Sequence, residues 1–200
     1  MTPTFTHLPG FSDPIHDSQR TFRALLDASS RPAKVFNITS DLTTPTGLTL
    51  ACATACLTLL DLDVQVWLQP GFAPEVKDWL LFHTGCQFTE QPEKSDFALI
   101  HELPSLSQLF SFHQGTAEQP ETATTLLIQV ESWQGGQPVI LTGPGILDKQ
   151  IITPKLPNYF WDFWTKNNQV YPLGIDVFLL AENTVMGLPR TAKYQVYHNA

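Results

Sequence analysis

The run GIDVFLLA at residues 174–181 is too apolar for a strand with either face in water. A strand of that kind needs a layer of structure above it and another below. VQVWL at 64–68, DFALI at 96–100 and ATTLLIQV at 123–130 read as further strands. Helical patterns alternate with them. One spans 16–30, with Pro14 just before it and Pro32 ending it. The mostly apolar run 47–63 is a second helix, and APEVKDWLLFHTG a third, stopped by Gly85. PSLSQLFSF and NYFWDFWTK read as shorter ones. QPVILTG at 137–143 pairs with 123–130 as a hairpin across Gln134, Gly135 and Gly136. This alternation predicts an α/β fold, a mixed, mostly parallel sheet covered by helices with an antiparallel part. No repeat or linker interrupts residues 1–200, which read as a single domain.

The net charge of −8 argues against nucleic acid and anionic membranes as partners, because both need clustered Lys and Arg. The start MTPTFTHLPGFSDP has neither a basic nor an apolar leader segment, and no run is long enough to span a membrane. Three cysteines (Cys52, Cys56 and Cys86) without framework spacing point to buried thiols in a reducing, cytoplasmic setting. The six histidines share no ligand spacing with one another or with the cysteines, so no metal site is expected.

Arginine is scarce and unevenly placed. Of four in the chain, Arg20, Arg23 and Arg31 fall within residues 13–32, in or just after the first helix. On a wheel of about 100° per residue, Ile15, Phe22, Leu25, Leu26 and Ser29 form one side, the expected core stripe. His16, Arg20, Arg23, Asp27 and Arg31 share the other. That face is either solvated, with Arg23–Asp27 and Asp27–Arg31 pairs, or a surface that recognises an anion or a partner. The fourth arginine lies in GLPRTAK, beside Thr191. If that turn converges with the first helix, Arg20, Arg23 and Arg190 would line one basic pocket. His16 and Asp17 could orient them, and Asp176 on the last strong strand is a further candidate.

LTGPGI at 141–146 lacks the Lys-Ser/Thr tail of a phosphate loop, and Pro144 removes a backbone donor. Pro followed by Gly suits a tight turn of type II instead. FWDFW at 160–164 reads as core or as a subunit interface.

Taken in order, GFSDPIHDSQRTFRALLDASSRP, LTLLDLDVQVWL, LTGPGI and YPLGIDVFLL followed by VMGLPRT resemble the H subunits (the PhnH family) of bacterial carbon–phosphorus lyase systems. The match spans nearly the whole chain, and DPxHDSQxxFR and LPRT are its distinctive blocks. One departure is Ala33, where the family usually has Gly, so the sequence gives no sign that this turn needs a positive φ. The resemblance implies a fold like the large domain of type I pyridoxal-phosphate transferases, without the cofactor. No lysine follows a strand in a small-residue turn, which agrees with that absence. It also implies a homodimer in isolation and assembly with the G, I and J subunits. With G, I and L, the H subunit would take part in placing an alkylphosphonate on the ribose carbon of ATP as adenine leaves. Two other readings stay open: a dimerisation or docking subunit with no ligand contact, and a stand-alone small-molecule or pyridoxal-dependent enzyme.

Overall fold

The computed structural model describes residues 8–197, so His7 and His198 lie outside the described residues. Its elements run α1 (Pro14–Ser30), β1 (Phe36–Asn37), α2 (Leu50–Leu59), β2 (Gln65–Leu68), α3 (Pro74–Thr84), β3 (Gln87–Thr89), β4 (Phe97–Ile100) and α4 (Leu106–Leu109). Then follow β5 (Thr125–Gln129), β6 (Val139–Thr142), β7 (Gln150–Ile152), α5 (Tyr159–Gln169), β8 (Asp176–Ala181), β9 (Thr184–Leu188) and β10 (Lys193–Val196).

Seven strands form one sheet in the order β1-β9-β8-β5-β4-β2-β3. From β8 to β3 every pairing is parallel, and β9 pairs antiparallel with both β8 and β1. The expected mixed, mostly parallel sheet is therefore present. Its two faces carry separate cores, as strand alternation requires. On β8, Val177, Leu179 and Ala181 point to one core, while Phe178 and Leu180 point to the other. The α1, α2 and α3 helices cover the second face; α4, α5 and a small sheet (β10-β6-β7) cover the first.

The helices α1, α2 and α3 are bounded by recognisable chemistry. Asp13 caps α1 by accepting the His16 N–H at 3.1 Å, with Pro14 in the first turn where its missing N–H costs nothing. Thr49 caps α2 through Oγ1, accepting from Cys52 N at 3.2 Å, so that helix starts later than the apolar run suggests. Gly85 closes α3 in the left-handed region at φ +70°.

Three expectations need correction. The hairpin of 123–130 with 137–143 does not form, because β5 already has β4 on one edge and β8 on the other. Instead β6 pairs with β7 and β10, and Gly136 N–H donates to the Thr153 carbonyl at 3.0 Å. Of the two readings of the α5 aromatic cluster, core holds and interface does not: Phe160, Trp161, Phe163 and Trp164 are all buried between the two sheets.

The third correction concerns the core stripe of α1. Its buried side chains are Asp17, Thr21, Leu25 and Ala28, whereas Ile15, Phe22 and Leu26 are 80%, 50% and 56% exposed. The cause is proximity. A Cβ on Gly187 of β9 would come within 2.4 Å of the Ala28 carbonyl oxygen, so the helix meets the sheet backbone to backbone. Where the two backbones touch, only small side chains such as Ala28 fit; Leu25, of the expected stripe, is buried beside that contact, while Ile15, Phe22 and Leu26 are turned outward.

Candidate functional site

The end of the first resembling block, LTGPGI and VMGLPRT meet at the C-terminal end of α1. Gly187 lies on Ala28, and Gly145 lies where a Cβ would be 2.1 Å from the Ser30 carbonyl. A Cβ on Gly143 would come within 2.8 Å of the Thr191 carbonyl oxygen. LTGPGI forms the expected tight turn: Ile146 N–H returns to the Gly143 carbonyl at 3.1 Å, and Gly145 takes φ +80° after Pro144. The glycines serve close approach of chain to chain. Ala33, just past α1, has φ +70°, so this turn takes the left-handed conformation although its residue is not glycine.

The arginines belong to separate networks. Arg190 Nε and Nη2 both donate to Asp176 Oδ2, at 3.1 and 2.6 Å, and its backbone N–H donates to Oδ1 at 2.7 Å. Its Nη1 donates to the carbonyls of Pro120 and Pro172 at 2.8 and 3.3 Å. This guanidinium is only 13% exposed and ties three segments together. The carbonyl of Arg190 accepts from Asn168 Nδ2 at 2.8 Å, and half-buried Thr191 follows in the same turn.

Near the other end of α1, Arg20 pairs with Asp17, whose side chain is 3% exposed. Asp17 also accepts the Asp13 N–H at 3.1 Å, so the capping turn and the arginine share one buried carboxylate. His16 Nδ1 lies 2.7 Å from Asp13 Oδ2. The His16 backbone N–H, and then its ring, hold the Asp13 carboxyl below its ordinary range. Of the two predicted helix pairs, Asp27–Arg31 forms; Arg23 has no ion pair among the described residues. Arg23 therefore stands exposed beside the outward Phe22 and Leu26, and the outer face of α1 combines one free cation with three apolar side chains.

Sequence reasoning missed a second region, the C-terminal edge of the parallel strands. The connection after β2 leaves over one face of the sheet (α3) and that after β4 over the other (α4), so a topological switch point lies between them. Gln69 bridges it. Its Oε1 accepts the N–H groups of His101 and Glu102 at 2.9 and 3.1 Å, and its Nε2 donates to the Glu102 carbonyl at 2.6 Å. Cavities open on either side. One of about 650 Å³ lies over β2 and β3, beside Lys77 and Glu90. The other, about 400 Å³, lies over β4 and β5. Glu102, Glu131 and the pair Lys155 and Tyr159 come to the second from three separate stretches of chain, and no spacing motif could announce them.

The sequence model of one family, described as bacterial phosphonate metabolism protein (PhnH), matches residues 9–195. Over 187 residues the chain is 37% identical to the alpha-D-ribose 1-methylphosphonate 5-triphosphate synthase subunit PhnH of Rhizobium meliloti, covering 92% of this chain and 94% of that protein. A shorter stretch of 78 residues is 33% identical to a putative C-P lyase subunit protein, HtxG, of Stutzerimonas stutzeri, covering 38% of this chain and 40% of that one. A family match over nearly the whole described chain and a relative this similar along its length lead to one assignment: the chain belongs to the PhnH family of bacterial phosphonate metabolism proteins.

Proposed function

We propose that this chain is a subunit of a carbon–phosphorus lyase system, contributing to the synthase that forms a ribose 1-phosphonate 5-triphosphate. In that role it takes part in transfer of an alkylphosphonate to the ribose carbon of ATP with release of adenine. Its own contribution is binding and architecture more than bond-making, and it uses no pyridoxal phosphate. Its partners are the G, I, J and L subunits, in the cytoplasm, and the free chain is a homodimer.

The observation that carries this reading is the outer face of α1. Ile15, Phe22 and Leu26 stand in water on one stripe, with Arg23, which has no ion pair among the described residues, alongside, within a family-distinctive block. A stripe of that kind is what a subunit contact buries, with an arginine at its border. Two of the other three arginines support it, since Arg20 and Arg190 are committed to Asp17 and Asp176. In the homodimer the same stripe closes on a second copy.

Affinity purification of the tagged chain from its native host, grown with a phosphonate as phosphorus source, tests the reading. The other lyase subunits are expected to copurify. A chain that purifies alone, and whose deletion leaves phosphonate growth unchanged, would contradict it.

A further inference from the structure

The 400 Å³ cavity at the ends of β4 and β5 has a chemical character of its own. Lys155 is neutralised: its Nζ donates to Glu131 Oε2 at 2.6 Å. Glu102 has no ion pair among the described residues. Its backbone is nevertheless held at both N–H and C=O by the Gln69 carboxamide, so an exposed carboxylate is carried on a fixed main chain. Preorganisation of that sort is what a recognition group needs, because little freedom is lost when a ligand arrives. The Tyr159 hydroxyl donates to the Leu103 carbonyl at 2.9 Å. Glu102 and Tyr159 border the same cavity, and burial, and then the charge of Glu102, raises the Tyr159 phenol above its ordinary range. Leu103, Ile128 and Leu156 supply an apolar wall.

An uncompensated carboxylate repels phosphate and accepts hydrogen bonds from donors. A carboxylate with two oxygens accepts from two adjacent hydroxyls at once, as acidic residues do with ribose at the strand ends of other α/β folds. The apolar wall suits the C–H face of a saturated ring. We propose that this cavity is a binding site for a neutral, vicinal-diol-bearing sugar ring of furanose size, held through its adjacent hydroxyls by Glu102. Charged groups on such a ligand project away from Glu102 and Glu131. The assignment stands on the cavity and does not rest on the subunit reading, so either can fail alone.

Saturation-transfer NMR on the full chain tests it, with methyl β-D-ribofuranoside as probe. Transfer to the probe is expected at about 10 mM, the weak range for so small a ligand, and not to its 2,3-dideoxy analogue. Glu102→Gln is expected to weaken binding roughly tenfold by removing the charge from the hydrogen bonds. Glu102→Asp, which shortens the reach, weakens it too. Because Glu102 is exposed, both variants keep the wild-type circular dichroism. The proposal is overturned by no transfer to the ribofuranoside, by equal transfer to the dideoxy analogue, or by affinity unchanged in Glu102→Gln. Displacement of the sugar by tripolyphosphate that Lys155→Met abolishes would make this an anion site and would overturn it as well.

Discussion

Arg190 grips Asp176 with two side-chain N–H donors and its own backbone N–H, while its remaining nitrogen holds the carbonyls of Pro120 and Pro172. This one side chain joins the start of β8, the end of β9 and two loops. Lysine keeps the charge but has no fork to span these acceptors. Arg190→Lys is expected to lower stability by about 1–3 kcal/mol, measured as a lower urea midpoint. Arg23→Lys, with no ion pair to lose among the described residues, is expected to shift stability by less than about 0.5 kcal/mol.

The seat of α1 on β9 gives a second expectation. Gly187→Ala would drive a Cβ against the Ala28 carbonyl oxygen and the Ser29 nitrogen, at 2.4 and 2.7 Å if nothing moved. Because both are backbone atoms, the helix must shift as a unit. Overpacking of this kind costs about 1–3 kcal/mol, and thermal unfolding should show it as a lower midpoint.

Ala33 offers the opposite sign. Its φ of +70° is one that a Cβ resists, and glycine takes it freely. Ala33→Gly is expected to stabilise by about 0.5–1 kcal/mol, the relief of the left-handed strain exceeding glycine's greater freedom in the unfolded chain. Denaturant unfolding compared with wild type measures it.

These three positions show what a reader of the sequence can and cannot reach. The apolar runs of β2, β4, β5 and β8 announce themselves, because strands buried on both faces leave no room for polar alternation. β9 does not: its Gly187 reads as a strand breaker, and the helix that requires it lies over 150 residues earlier. The same contact defeats the helical wheel for all but Leu25, since small side chains fill the closest approach to the sheet and Ile15, Phe22 and Leu26 face outward. The hairpin fails for a topological reason, with both β5 edges taken by distant strands. Among site residues, Arg20 and Arg190 are conspicuous by rarity, yet their carboxylate partners are visible only in three dimensions. Glu102, Lys155 and Tyr159 carry no motif, being gathered by strand exits.

Burial, and then the neighbouring Cys52, push the Cys56 thiol well above its ordinary range. A raised thiol pKa favours the folded state at pH values below the unfolded-chain pKa. That contribution is lost as pH rises above about 8.5, where the unfolded thiol ionises first. Stability is therefore expected to fall in that alkaline range. All three cysteines are buried, so a thiol reagent at neutral pH should label them no faster than the chain unfolds. Rapid labelling of the native protein would overturn this.

The central claim is that the outer face of α1 is a subunit contact. Phe22→Asp combined with Leu26→Asp alters only that face, since both side chains are at least half exposed. The most direct measurement is copurification of this variant, tagged and expressed in the native host, beside the wild type. The account predicts wild-type circular dichroism and thermal midpoint, with the other lyase subunits lost from the eluate and growth on phosphonate impaired. A folded variant that still brings down those subunits in wild-type amounts would contradict it.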